Sequence, residues 1–567
     1  MVVFDDEKQK RKVDDLKARE EEELVQFLAQ SKYNLPYIDL SSTTIETSAL
    51  RHITEDEARK NSIAPFNILG TKIHIAVRSP ETSEVKAFVD NLQNQGFTPI
   101  LYMASKASLE KAWERFEDIS RAEVQKSGGI DILPETIKDL REKIESIEDV
   151  KTLIEELKNE KQHKTSKILE IILAGAIELE ASDIHIEPAE EDVRMRYRID
   201  GNLEEIYRFP TNIFHSIDTR IKLLSGLKLM LRQVAQDGRF SIFLDDTGTE
   251  ISIRTSIIPG AYGDTIVMRI LDPKSIRVSL EDLGIPKNLY EIIIKEIKKP
   301  NGMIIITGPT GSGKTTTLYA FLSKIYDPEI KIITIEDPIE YHLQGITQTQ
   351  TNSKQGYTFL EGLRSALRQD PDVIMVGEIR DSETANTATE AALTGHLVFS
   401  TLHTNNAAGA IPRLIDLEVN PKTIPSALTL ALAQRLVRKV CADCSVSSNT
   451  TEEETRTINK VLQEIKDRGV DINTYDIEIK DTYGVKKGSG CKKCNGSGYK
   501  GRIGIFEAIK VNTKEIEDII PTNPSEREIL SASNTQGILR MKEDGIIKVV
   551  KGITTLEEVS EKVDLDE

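Results

Sequence analysis

Long apolar runs are missing from this chain of 567 residues: no stretch reaches the roughly 18 residues that a membrane-spanning helix requires. The amino terminus, residues 1–23, mixes Lys, Arg, Asp and Glu and lacks the apolar centre of a secretory leader. Both absences predict a cytoplasmic protein whose membrane contact is indirect, made through partners. Cysteine is scarce too. All four cysteines fall in two C-x-x-C pairs, which in a cytoplasmic chain argues against a disulfide-stapled scaffold. Positive charge is in deficit, with 74 Lys and Arg against 92 Asp and Glu for a formal charge of -18, and aromatics make up 5%. An acidic chain with no evident basic and aromatic channel is not expected to bind nucleic acid. No internal repeat or low-complexity tract occurs, and the length allows about three to five domains.

What is present is concentrated in a few motifs. Gly308, Pro309, Thr310, Gly311, Ser312, Gly313, Lys314 and Thr315 form a complete G-x-x-x-x-G-K-T phosphate loop. It lies between the apolar run Met303–Thr307 and a helix-compatible stretch from Thr316 to Ile325. Glycines let successive N–H groups turn inward on phosphates, Lys314 reaches the terminal phosphates, and the Thr315 hydroxyl can ligate Mg²⁺. The positive end of the following helix adds to the attraction. Together with Thr316 these residues predict a nucleoside triphosphate site. No Asn-Lys-x-Asp guanine signature is found.

Three more segments follow the same logic. The run Ile332–Tyr341 reads as a buried strand ending in Glu336, Asp337 and Glu340; Val373–Val376 reads as another, with Glu378 just past its end. At the carboxyl ends of parallel strands such acids face the ligand crevice. Glu340 is the candidate to position and deprotonate a water and Glu378 the candidate near Mg²⁺, and the two roles can be exchanged. His396 and His403 bracket a third core strand and point to nucleotide sensing.

Upstream, Tyr33 to Phe116 alternates short strands with helical patterns, and Pro134 to Lys161 reads as charged, helical and partly linker. Val193, Met195, Tyr197 and Ile199 alternate with Arg194, Arg196 and Arg198, which read as an exposed strand face, and Asp200-Gly201 supplies a hairpin turn. Downstream, Cys441, Cys444, Cys491 and Cys494 offer four thiolates, the tetrahedral set that Zn²⁺ prefers. The interval between the pairs is long, so a polar segment over about 445–488 is expected to loop out. The expected order is an N-terminal domain (1–125), a charged helical linker (126–164), a middle domain (165–279), the phosphate-loop core (280–437), the cysteine module (438–506) and a C-terminal helical region (507–567).

The phosphate loop, the Thr-Ile-Glu-Asp-Pro-Ile-Glu segment, the Asp-Pro-Asp-Val-Ile-Met-Val-Gly-Glu segment and the Thr-Gly-His to Leu-His-Thr-Asn segment together resemble the Walker A, Asp box, Walker B and His box of the secretion ATPases. The branch they resemble comprises the type II secretion and type IV pilus assembly ATPases, over about Tyr33 to Val563. That resemblance implies a multidomain α/β protein with a RecA-like core preceded by a smaller PAS-like domain, an N-terminal α/β domain and an inserted zinc module. It implies a homohexameric ring that hydrolyses ATP with Mg²⁺ and meets an inner-membrane platform protein and a membrane-anchored docking protein. Arg220, Arg239 and Arg254 match the middle-domain arginines offered to the γ-phosphate. The zinc module marks secretion and extension ATPases rather than retraction ATPases, so pilus assembly is favoured, with type II secretion as the alternative. The paired Arg-x-Gly-x-x-Leu pattern for cyclic di-GMP is absent, so regulation by that nucleotide is not expected. A ring-shaped nucleic-acid translocase and a nucleotide-bound scaffold without turnover are the more distant readings.

Overall fold

In a computed structural model the chain forms two compact units, residues 1–131 and 132–567. The structure describes residues 21–113, 134–157, 164–244, 250–272 and 278–566, apart from positions 23, 41, 42, 44, 46, 51, 52, 54, 70, 71, 95, 96, 230 and 232. Most of the amino-terminal charged run lies outside the described residues.

The first unit contains a three-stranded sheet, β1 (Ile63–Leu69), β2 (Lys72–Val77) and β3 (Thr98–Met103), with β1 antiparallel and β3 parallel to β2. A parallel pair needs a crossover, and the helix Ser83–Asn94 provides it. Ile73, Ile75, Val77, Leu109 and Trp113 are buried in its core, and the Trp113 indole N–H donates to the Ile63 carbonyl at 3.0 Å. This is the small mixed α/β unit expected from the alternation.

The second unit carries two large sheets. The first is wholly antiparallel, in the order β6-β5-β4-β9-β8-β7, from β4 (Asp183–Pro188), β5 (Val193–Ile199), β6 (Asn202–Phe209), β7 (Gln236–Phe243), β8 (Glu250–Gly260) and β9 (Gly263–Leu271). Val193, Met195 and Tyr197 are buried as the alternation predicts, and Asp200 and Gly201, both at positive φ, turn β5 into β6. The helix Lys164–Glu178 covers this face, with the Tyr197 hydroxyl donating to Ile172 O at 2.7 Å. The run expected as a charged linker is helical over Pro134–Arg141 and Ile147–Glu156, and Ile137, Val150 and Ile154 are buried in the same core.

The second sheet is built from β10 (Gly302–Thr307), β11 (Ile332–Glu336), β12 (Thr347–Gln350), β13 (Val373–Val376), β14 (Leu397–Leu402), β15 (Leu428–Val440) and β18 (Tyr499–Lys510), in the order β12-β11-β13-β14-β10-β15-β18. All of its pairs are parallel except β15 with β18. β10, β13 and β14 are buried at every position, which is why they read as continuous apolar runs. The cysteine module is thus an insertion between two neighbouring strands of this sheet.

The segment expected to loop out does not. It forms a small sheet from β16 (Ser445–Asn449) and β17 (Gly484–Gly488) and a helix, Glu452–Asp467, started by a capping box between Thr451 and Glu454. Ile458, Val461, Leu462 and Ile465 repeat at helical spacing and are buried in the main core.

Candidate functional site

The loop 308–315 leaves the carboxyl end of β10 and enters the helix Lys314–Ile325. Gly313 sits at φ 89°, and a Cβ there would come within 2.8 Å of the Gln434 side-chain nitrogen; at Gly308, φ 142°, it would come within 2.5 Å of Gln434 O. Only glycine fits these two positions. The Lys314 amine donates to Gly308 O at 2.8 Å and Pro309 O at 3.1 Å. Burial holds its pKa below that of an ordinary lysine, with the Glu378 charge pulling the other way.

A cavity of about 470 Å³ opens over the loop, lined by Thr310, Gly311, Gly313, Lys314, Thr315, Thr316, Glu340, Glu378 and His403. Pro309 and Ser312 line an adjoining cavity of about 580 Å³ with Thr310 and Gly311. Glu340 pairs with Arg254, Nη1 to Oε2 at 3.3 Å, while Arg254 Nη2 donates to Ile339 O at 2.5 Å. Burial raises the Glu340 pKa above the ordinary glutamate value, against the pull of Arg254 and Arg269. Glu378 contacts Arg380 at 2.5 Å and His403 Nε2 at 3.2 Å. Glu336 is buried and bonded to the Tyr319 hydroxyl, to Thr334 Oγ1 at 2.5 Å and to Gln348 Nε2 at 3.0 Å. Its oxygens are committed to the fold, in keeping with its place as the strand's last residue.

Several of the sequence candidates are not brought here. His396 precedes β14, whereas His403 follows it; six residues at about 3.3 Å each place the two ends about 20 Å apart. The His396 ring bonds Ala391 O at 3.1 Å and lies at the amino end of β14, away from the loop. Arg220 is on the helix Thr211–Leu224, where its charge faces Glu170. Arg239 stands opposite Arg254 on the neighbouring strand but is exposed and does not line the cavity. Arg198, read as a solvated strand face, instead contacts Asp183 at 3.5 Å and lines the adjoining cavity.

The residue that sequence reasoning missed is Arg269, which lines both cavities and pairs with Asp183. A signal existed: Gly260 pairs with Gly263 at the turn, and counting back along both strands brings Arg269 opposite Arg254. Arg380 also lines the cavity over the loop, and Arg502 lines both cavities.

The four cysteine sulfurs lie within 4.8 Å of one another, with Cys441–Cys491, Cys444–Cys494 and Cys491–Cys494 at 3.9, 3.8 and 3.6 Å. A tetrahedral metal about 2.3 Å from each sulfur would set them about 3.8 Å apart, so the cluster fits zinc. The disulfide alternative does not hold, since all four thiols are free. Burial pushes the Cys494 thiol up, but backbone N–H donors from Cys491 and Gly498 win and bring it down to about 7, whereas burial carries the neighbouring Cys444 thiol up to about 11. The knuckle also meets the start of the helix Ile147–Glu156: Asn495 Oδ1 accepts from the Ile147 N–H at 2.9 Å, and Lys492 pairs with Glu145 and Asp149 at 3.2 and 3.3 Å.

Among the described residues no helix is long and apolar enough to cross a membrane. Two family descriptions match the sequence, type II/IV secretion system protein over residues 158–561 and the MshEN domain over residues 33–123. The type IV pilus assembly ATPase PilB of Myxococcus xanthus is 35% identical over 543 residues, covering 96% of this chain and 91% of that protein. Type II secretion system protein E of Aeromonas hydrophila is 44% identical over 395 residues, covering 69% of this chain and 74% of that protein. Among solved structures, the ATPase DotB of Legionella pneumophila aligns with a TM-score of 0.52 at 23% identity, covering 71% of this chain and 97% of that one. This last is a likeness of fold.

Proposed function

The chain belongs to the type II/IV secretion system protein family, and from that premise we propose that it is the Mg²⁺-dependent ATPase that powers assembly of a type IV pilus. One observation carries the choice: similarity to a pilus assembly ATPase runs over 96% of the chain, through the first unit as well as the second. Type II secretion is the second reading, favoured by the higher identity, 44% against 35%, over the shorter stretch.

In this reading the second sheet is a RecA-like core. The loop's N–H groups and the helix behind them hold the phosphates of ATP, and Lys314 swings from its own loop carbonyls to the terminal phosphates. Thr315 and Glu378 would hold Mg²⁺: both are hard oxygen donors on one cavity. Bound there, the ion offsets phosphate charge. Glu340 orients a water and takes its proton as the water oxygen attacks the γ-phosphorus. The bond from that phosphorus to the bridging oxygen breaks, leaving ADP and phosphate. Arg254 ties the chemistry to motion, because it joins Glu340 to the antiparallel sheet.

We read that sheet and its helices as the PAS-like domain of a homohexameric ring on the cytoplasmic side of the inner membrane. The ring works on a platform protein, and the first unit meets a membrane-anchored docking protein. Steady phosphate release from ATP and Mg²⁺ by the purified chain, stopped by EDTA, tests the enzyme directly. A protein that binds ATP and never turns over contradicts it.

Cys441, Cys444, Cys491 and Cys494 would hold one Zn²⁺ in a closed structural site. Native mass spectrometry is expected to find one zinc per chain and thiols protected from alkylation. Chelation is expected to speed hydrogen exchange at the Ile147 amide, whose acceptor, Asn495, directly follows Cys494. Metal-free protein with four alkylatable thiols contradicts the site.

A further inference from the structure

One rung of the antiparallel sheet concentrates charge. Read across from β5 to β7, the paired residues are Arg198, Asp183, Arg269, Arg254 and Arg239. Residues paired this way share one face of the sheet, so four guanidinium groups stand side by side with a single carboxylate among them. That carboxylate is nearly sealed from solvent, at 6% side-chain exposure. It accepts from Arg269 Nε at 2.9 Å and from Ser182 Oγ at 2.8 Å, and Arg198 Nε lies 3.5 Å away.

The two arginines nearest the phosphate loop are used differently. Arg254 commits both Nη groups, to Glu340 and to Ile339 O. Among the described residues Arg269 is gripped through Nε, by Asp183, and its side chain lines the cavity that holds Lys314, Glu340 and Glu378, which leaves the two Nη groups to that cavity. A guanidinium held by its inner nitrogen, with the outer pair directed into a phosphate site, is arranged to meet charge that develops on a transferred phosphoryl group. Without Asp183, Arg269 keeps the attraction of Glu340 but loses its hydrogen-bonded anchor and faces three like charges on its rung, and its side chain, already 56% exposed, has room to swing toward solvent.

We propose that Asp183 is a positioning residue for ATP hydrolysis, holding Arg269 aimed at the terminal phosphate so that it sets the rate of turnover and not the affinity for nucleotide. The inference rests on the ATPase reading above and adds a residue to it. An arginine delivered to the γ-phosphate contributes about 10³- to 10⁵-fold in rate, and losing its aim forfeits part of that. Asp183→Asn keeps the shape and one acceptor but removes the charge.

The expected result for Asp183→Asn is a fall of roughly 30-fold in kcat, with KM and nucleotide Kd within about twofold of the parent. Placed in an Arg269→Ala background, the same substitution is expected to change kcat by less than about twofold, because its effect passes through Arg269. Arg269→Lys, at a half-exposed position where folding is not at stake, keeps the charge but not the fork and is expected to match Asp183→Asn. If Asp183→Asn does not fold, Arg269→Lys reads the same point, and parental kcat in that variant overturns the proposal. It is also overturned by parental kcat in Asp183→Asn, by parallel losses of kcat and affinity, or by an equal loss in the Arg269→Ala background. Failure of the ATPase reading looks different: the unmodified chain would release no phosphate, or Lys314→Ala would match it.

Discussion

Lys314→Ala is expected to stop ATP hydrolysis, with kcat falling by at least about 10³-fold, the scale of a charge placed on the transferred phosphoryl group. The reasoning is local. Lys314 is the cationic side chain of the loop itself, its amine rests on the carbonyls of Gly308 and Pro309, and it shares a cavity with both candidate acids. Among the described residues the amine bonds only carbonyls of its own loop, so its loss leaves the core packing in place. Alanine is a strong helix former, and the helix Lys314–Ile325 keeps its packing through Leu318, Phe321 and Leu322. The loss of activity is therefore expected without a change in the unfolding midpoint, checked by phosphate release and thermal unfolding on one preparation. A folded Lys314→Ala variant with turnover near the parent refutes the nucleotide site.

Glu340→Gln separates binding from chemistry. Glutamine keeps the length of the side chain and an acceptor for Arg254, so contact between the two sheets persists, while the group that takes the proton is gone. The expected loss in kcat is about 10²- to 10⁴-fold, the usual worth of a general base, with nucleotide affinity retained. Burial adds a pH signature. It raises the Glu340 pKa, and only the carboxylate can accept a proton, so the parent's rate falls as pH drops through a value above that of an ordinary glutamate. Glu340→Gln is expected to flatten that acid limb. If Glu378→Gln flattens it and Glu340→Gln does not, the two acids exchange roles, because Glu378 lines the same cavity and touches His403.

Local features could be read from the chain, and features that depend on tertiary meeting could not. The phosphate loop, the buried strands ending before Asp337 and Gly377, the alternation from Val193 to Ile199 and the four cysteines each declare themselves within a few residues. Arg254 was legible as a candidate, but its bond to Glu340 joins positions 86 residues apart. Arg269 needed the hairpin register, which the Gly260 to Gly263 turn encodes only once both strands are paired. His396 misleads because both ends of a buried strand look alike in sequence, whereas only the carboxyl end borders the crevice. The helix Glu452–Asp467 is strongly polar on average, which hid the apolar stripe that docks it.

An electron-microscopic count of surface filaments on cells whose chromosomal copy carries Glu340→Gln, with the variant's abundance confirmed, reads directly whether ATP turnover at this site builds filaments. Cells bare of filaments, with the stalled protein present at its normal level, are the predicted result. Normal filament numbers under the same conditions would contradict the pilus assignment and leave protein export as the process to assay.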